Sequence, residues 1–116
     1  MPIISQQTVE GHSVRAMYLL TAVADLSFID PQHFGQRYTP ALERLWGNMV
    51  DCKMYLTGGV GAIEQWEGFG IDYFPPQGTD EGGWYAETCA ATGVVMLAER
   101  MQLGREVRGY HGAMSV

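Results

Sequence analysis

Residues 55–93 form a glycine-dense, aromatic-rich stretch with no sustained apolar period. It reads YLTGGVGAIEQWEGFGIDYF and then PPQGTDEGGWYAETCAATG. Its position between two plausible helices constrains the fold more than any other feature. A long connection without secondary structure inside a small domain is usually either a functional loop or a disordered one. Tyr55, Trp66, Phe69, Tyr73, Phe74, Trp84 and Tyr85 argue for order, because disordered segments are poor in aromatics.

Apolar spacing predicts three helices around this loop. The first covers residues 10–27, with Val14, Met17, Tyr18, Thr21, Val23 and Ala24 on its inner face. Asp30-Pro31 reads as a turn. The second helix is expected to begin at Thr39-Pro40, a cap residue followed by proline at the first helical position. It runs to about Lys53 on Leu42, Leu45, Trp46, Met49 and Val50. The third starts at Thr88, presents Val94, Leu97, Ala98 and Met101, and stops near Gln102 with Gly104 beyond it. Residues 103–116 then read as a divergent, frayed tail, leaving 10–102 as the structured unit. Short extended pieces are expected at 53–57 and 70–74. The fold class is therefore all-α, about three helices with a long loop rich in glycine and aromatics. Three such helices bury little alone and read as part of a larger helical array.

The balance of charge narrows the partners. A net charge of −6 and a pI near 4.8 disfavour nucleic acid, which requires a basic surface. No apolar run is long enough to cross a membrane. The start, MPIISQQTVEGHS, lacks the basic and apolar regions of a secretory signal. Cys52 and Cys89 do not make a disulfide framework. Reduced thiols in the cytoplasm are the expectation.

Two groups of residues suggest chemistry. Glu87 and Cys89 are a carboxylate and a thiol two positions apart, and zinc accepts both. Residues so spaced share a side only on extended backbone, so both reach one ion only if the helix begins at or after Glu87. The ordinary alternative is a first-turn carboxylate favoured by the helix dipole and a small buried thiol. Glu64 and Glu67 lie among Trp66 and Phe69. A carboxyl beside aromatics suits a general acid, and rings such as Trp66 stack on sugars, although solvated loop glutamates are common. Gly58-Gly59-Val60-Gly61 lacks the Lys-Ser/Thr of a P-loop and reads as a turn needing positive φ or close approach. His12, after Gly11 at the start of the first helix, suits a ligand contact as well as a packing role.

Four motifs in order complete the picture. Glu10-Gly11-His12-Ser13-Val14-Arg15-Ala16 is followed by Tyr55-Leu56-Thr57-Gly58-Gly59-Val60-Gly61. Next come Glu67-Gly68-Phe69-Gly70-Ile71-Asp72-Tyr73 and Tyr85-Ala86-Glu87-Thr88-Cys89-Ala90. Over roughly 10–102 this set resembles the β-L-arabinofuranosidase family of glycoside hydrolases, family 127. The resemblance implies part of an (α/α)6 barrel, several times longer when complete. It implies a zinc held by one glutamate and three cysteines, one of them the nucleophile of a retaining reaction. Glu87 and Cys89 match two of those ligands. Glu67 matches the general acid/base, His12 matches a substrate contact, and Trp66 stands beside Glu67 as a substrate-binding residue. Residues 77–83 look like an insertion shared with fungal relatives. The family's remaining cysteines form an adjacent pair downstream, and this chain contains no such pair. The resemblance therefore implies a fragment, inactive alone, with zinc weak or absent. Its partner would be an arabinofuranoside or related carbohydrate, with self-association through exposed helix faces. The alternatives are a non-catalytic helical module that binds sugar or protein through Trp66, Phe69, Trp84 and Tyr85, and a small zinc-binding helical domain.

Overall fold

The computed structural model describes residues 2–55, 57–63, 66–73, 86 and 88–114, with side chains of the last helix described to residue 106. Three α-helices carry it: α1 (Ser13–Ile29), α2 (Gln36–Asn48) and α3 (Thr88–Met114). A 3-10 turn at Ile3–Ser5 precedes them, and wide π turns at Pro31–Gly35 and Met49–Lys53 flank α2. The all-helical expectation holds. The extended pieces expected at 53–57 and 70–74 do not form strands among their described residues. Isolated bridges join His12 and Ile63 to Gly68 instead.

α1 begins at residue 13, later than its apolar pattern suggested. Gly11 has φ +90° and His12 is extended, so the helical backbone starts only after them, with His12 O accepting the first helical hydrogen bond from Ala16 N at 2.9 Å. Met17, Leu20, Ala24 and Ser27 form the buried stripe, with Thr21 and Val23 beside it. Tyr18 was expected inside but is 58% exposed, because it lies about 100° around the helix from Met17. The buried hydroxyls of Thr21 and Ser27 donate to Met17 O and Val23 O at 2.7 and 2.8 Å, which satisfies them within the helix.

The start of α2 corrects a second expectation. Asp30-Pro31 is the true entry and Thr39-Pro40 lies inside the helix. Asp30 Oδ1 accepts from His33 N at 3.2 Å, and Pro31 follows as the first turn residue. The His33 side chain hydrogen-bonds the same carboxylate and holds it below the usual aspartate range. Gly35 N reaches back to Asp30 O at 2.8 Å, closing the wide turn. A Cβ on Gly35 would sit 3.0 Å from Ser27 O, so glycine lets this turn lie against the end of α1. Both Asx/Thr-Pro pairs carry a start signal; the earlier one prevails because its side chain makes the cap.

α3 also departs from expectation, passing Gly104 and continuing to Met114. A glycine inside a helix costs about 1 kcal/mol, too little to end one that is anchored elsewhere. Arg105 supplies the anchor, donating from Nε and Nη2 to the two Glu43 oxygens at 3.2 and 2.6 Å. Arg100 Nε donates to Asp25 Oδ1 at 2.8 Å, tying α3 to α1 as well.

α1 and α3 pack closely. A Cβ on Gly93 would meet Met17 Cβ at 2.8 Å, so the glycine sets their approach. Met17, Leu45, Met49 and Leu97 are fully buried at the centre. Each such side chain contributes roughly 1.5–3 kcal/mol by leaving water. Val9, Val60 and Phe69 close the cluster from the connecting segments. The other sides stay open: Leu19, Leu26 and Ile29 of α1 and Val95, Met96 and Leu103 of α3 are exposed.

Candidate active site

The loop after α2 is stitched to the entry of α1. Ile63 and Gly68 exchange both backbone hydrogen bonds, N to O at 3.0 and 3.1 Å, which pairs these two residues directly. Phe69 N donates to Gly11 O at 3.0 Å. Ser13, 1% exposed, donates to Glu67 O from both its backbone N (2.9 Å) and its Oγ (2.7 Å). Gly61 has φ +83°, and a Cβ there would lie 2.7 Å from Ser13 Oγ. At Gly68 a Cβ would collide with the Trp66 ring and with Gly11 O. Gly61 thus combines positive φ with a close approach, as the turn reading of 58–61 expects, and Gly68 lets the Trp66 ring and the Gly11 carbonyl lie against the chain. Gly58 also has positive φ, and Val60 is fully buried.

This stitching fixes Glu67. Its φ is +52°, in the left-handed region that L residues seldom occupy. Such backbone costs of order 1 kcal/mol and persists where surrounding bonds over-determine it. The side chain is thereby directed at His12, and Nε2 lies 3.0 Å from Oε2. The two side chains are 28% and 48% exposed, so the pair is reachable from solvent. Imidazole can donate to the carboxylate or accept from the carboxylic acid, so the contact serves both protonation states of Glu67. A reachable carboxyl held by a second titratable group is suited to proton transfer. His12 Nδ1 is buried without a partner among the described residues.

Trp66 is 46% exposed, with its ring over Gly68. It stands at an open depression of about 710 Å³ that also includes Glu10, Lys53 and Asp72. The last two belong to a network with no signature in the sequence. Lys53 is 6% exposed and its Nζ donates to Val9 O at 2.7 Å. Asn48 Oδ1 accepts from Val9 N at 2.8 Å, and its Nδ2 donates to Asp72 Oδ1 at 2.9 Å. Burial pushes the Lys53 ammonium below its usual range, partly offset by Asp72 and Glu10. A lysine at the end of an amphipathic stretch gives no sign of burial; only the fold shows it.

The described part of α3 begins at Thr88. Glu87 itself lies outside the described residues, as do Glu64, Phe74, Trp84 and Tyr85. Cys89 is exposed in the first turn of α3 and Cys52 is half-buried; both are free thiols. Among the described residues no group of three or more metal-type donors forms, and no hydrogen bond links Cys89 to His12 or Glu67. The structure thus brings His12 and Glu67 into contact, places Trp66 beside them in the chain and leaves Cys89 unjoined. No helix among the described residues is long and apolar enough to cross a membrane.

Comparison with known proteins bears on the whole arrangement. The model of the GH127 catalytic domain of β-L-arabinofuranosidases matches residues 1–109. A non-reducing end β-L-arabinofuranosidase of Bifidobacterium longum is 37% identical over 100 residues, which are 86% of this chain and 14% of that protein. The crystal structure of a GH127 β-L-arabinofuranosidase from Geobacillus stearothermophilus T6 superposes with a TM-score of 0.78 at 37% identity. It is matched over 87% of this chain and 15% of its own. A second GH127 β-arabinofuranosidase structure gives 0.76 at 37% identity over 86% of this chain and 15% of its own. The chain thus spans about one seventh of the length of these relatives.

Proposed function

Because this chain belongs to the GH127 β-L-arabinofuranosidase family, we propose that it is a segment of a glycoside hydrolase catalytic domain and that Glu67 is the general acid/base. One observation carries the assignment: the loop glutamate is held in left-handed backbone with its carboxyl 3.0 Å from His12 and open to solvent. In this reading Glu67 gives a proton to the leaving glycosidic oxygen and then takes one from the water that releases the sugar. His12 holds the carboxyl in place and meets the substrate. The substrate is an arabinofuranoside or a related plant sugar, and further helices covering the open apolar faces would complete an (α/α)6 barrel.

Glu87 and Cys89 are the donors that this chain offers to zinc, and bound zinc keeps cysteine as thiolate at neutral pH. Two donors leave a tetrahedral site half made, so the chain alone holds the ion weakly and lacks activity. A reducing, cytoplasmic setting belongs to the same reading and is supported by the two free thiols. The exposure of Trp66, Ile71 and Tyr73 favours one competing reading, a non-catalytic sugar-binding surface.

A chimera separates the two. Residues 1–109 would replace the matched part of the Geobacillus enzyme, with an aryl β-L-arabinofuranoside as substrate. The expected result is turnover that falls about 10²–10⁴-fold in Glu67→Gln, the usual contribution of general acid–base catalysis. Unchanged turnover in that variant would remove Glu67 from the mechanism.

A further inference from the structure

The depression beside Trp66 has walls that the pairing of His12 with Glu67 does not explain. Its volume of about 710 Å³ is in the range of small-molecule sites. Trp66 presents a half-exposed ring seated on Gly68, a fixed platform for the C–H face of a sugar. Lys53 has a side chain only 4% exposed, yet it lines this space. Its ammonium carries three donors. One is used on Val9 O at 2.7 Å, and the nearest Asp72 oxygen is 3.8 Å away, beyond hydrogen-bond range. Donor capacity therefore remains at the wall. Glu10 and Asp72 add carboxylates, of which Glu10 Oε1 accepts from Thr8 and Asp72 Oδ1 from Asn48, leaving other lone pairs unused.

We propose that this depression seats the leaving-group sugar of the substrate, a neutral polyhydroxy ring stacked on Trp66, with vicinal hydroxyls held by Lys53, Glu10 and Asp72. The assignment rests on the glycosidase reading. Carboxylates accept from hydroxyls and an ammonium donates to them, so a ring with adjacent hydroxyls matches both. Two carboxylates against one ammonium make the wall net negative, which disfavours phosphates and uronic acids. The position identifies the leaving group. Gly11 and Trp66 line the wall, and each immediately precedes a member of the His12–Glu67 pair. The ring under attack must lie between the acid and the nucleophile, on the side of the zinc that Cys89 would help to hold. Cys89 does not line this depression, so the sugar seated here is the one that departs.

The test needs binding and no turnover. The full chain, labelled with ¹⁵N, would be titrated with millimolar L-arabinose and separately with D-glucuronate. Saturable shifts are expected at the Trp66 indole and at the Thr8 and Gly70 amides. Trp66→Ala and Asp72→Asn should each weaken binding about tenfold, the equivalent of one good stacking or charged contact. Asp72→Asn keeps an oxygen for Asn48, so a folding defect is not expected to mask the result. Glucuronate should bind more weakly than arabinose. Absence of saturation, shifts confined to the His12 and Glu67 resonances, or affinity untouched by both variants would overturn the assignment. An inactive chimera with binding intact would defeat the glycosidase reading and leave a sugar site; an active chimera without binding would defeat the subsite alone.

Discussion

His12 Nε2 lies 3.0 Å from Glu67 Oε2, across two backbone segments held together by Ser13 and Phe69. The direction of the glutamate is therefore set before its side chain meets the histidine. Two donors from Ser13 fix the Glu67 carbonyl, and the φ of +52° follows. The strain is placed on the residue proposed to transfer the proton, where backbone outliers tend to gather.

That strain can be measured by comparing two variants that both remove the carboxyl. Glu67→Ala keeps a Cβ in left-handed backbone and Glu67→Gly does not. The glycine variant should be more stable than the alanine variant by about 1 kcal/mol, read from urea unfolding midpoints at constant slope. The flexibility of the unfolded glycine works against this difference and makes it a lower bound on the strain. Equal midpoints would mean that the loop relaxes when the side chain is lost.

Glycines in two helices should respond to alanine with opposite signs. Intrinsic propensity favours Ala over Gly by about 1 kcal/mol at either place. Gly47 in α2 has nothing within 4 Å of where a Cβ would stand, so Gly47→Ala should raise the melting temperature. At Gly93 the added carbon would lie 2.8 Å from Met17 Cβ, an atom that moves only with the backbone of α1. Gly93→Ala should therefore destabilise, by about 1–3 kcal/mol as overpacked cores do. A stabilised Gly93→Ala would show that α1 and α3 can separate freely.

The motifs at 10–16 and 67–73 were legible as chemistry because glycines, a histidine and a carboxylate occur there in a fixed order. Their meeting was not legible from periodicity, since it depends on hydrogen bonds between residues more than fifty positions apart, Ser13 to Glu67 and Phe69 to Gly11. Lys53 and Asn48 were missed for the same reason. In sequence they are an ordinary lysine and asparagine, and only burial against Val9 and Asp72 gives them a role. Helix ends differ from the sequence reading where a local signal met a competitor: Thr39-Pro40 the earlier Asp30-Pro31, and Gly104 the long-range Arg105–Glu43 contact. The core stripe of α3 survived because Val94, Leu97 and Met101 repeat at helical spacing and all are buried.

The metal offers a prediction independent of activity. Cys89 is exposed and no third donor joins it among the described residues. The chain alone should bind zinc no more tightly than about micromolar, far short of the 10–16 kcal/mol of closed structural sites. Competition with a chromophoric chelator measures this, and Cys89→Ser should remove the residual binding. One equivalent of zinc retained through dialysis would mean that this chain completes a tetrahedral site by itself.

Lys53 gives the pH dependence. Burial is the largest influence on its ammonium and lowers it from the ordinary 10.5, while Asp72 and Glu10 act the other way. The folded value is thus below the unfolded one, so between them the unfolded chain binds more protons and stability rises with pH. Below the folded value the cost of burying the charge is present in full; it is relieved as pH climbs toward 10.5. Observed by ¹³C NMR at Cε, Lys53, the one lysine of the sequence, should titrate below the ordinary 10.5. Asp72→Asn removes an anion that favours the charged form and should lower the midpoint further. A midpoint that stays put in Asp72→Asn would show that Asp72, 3.8 Å from the ammonium, does not act on it. A midpoint at the ordinary value in the unaltered chain would place the ammonium in water, removing the donor that the proposed sugar seat requires.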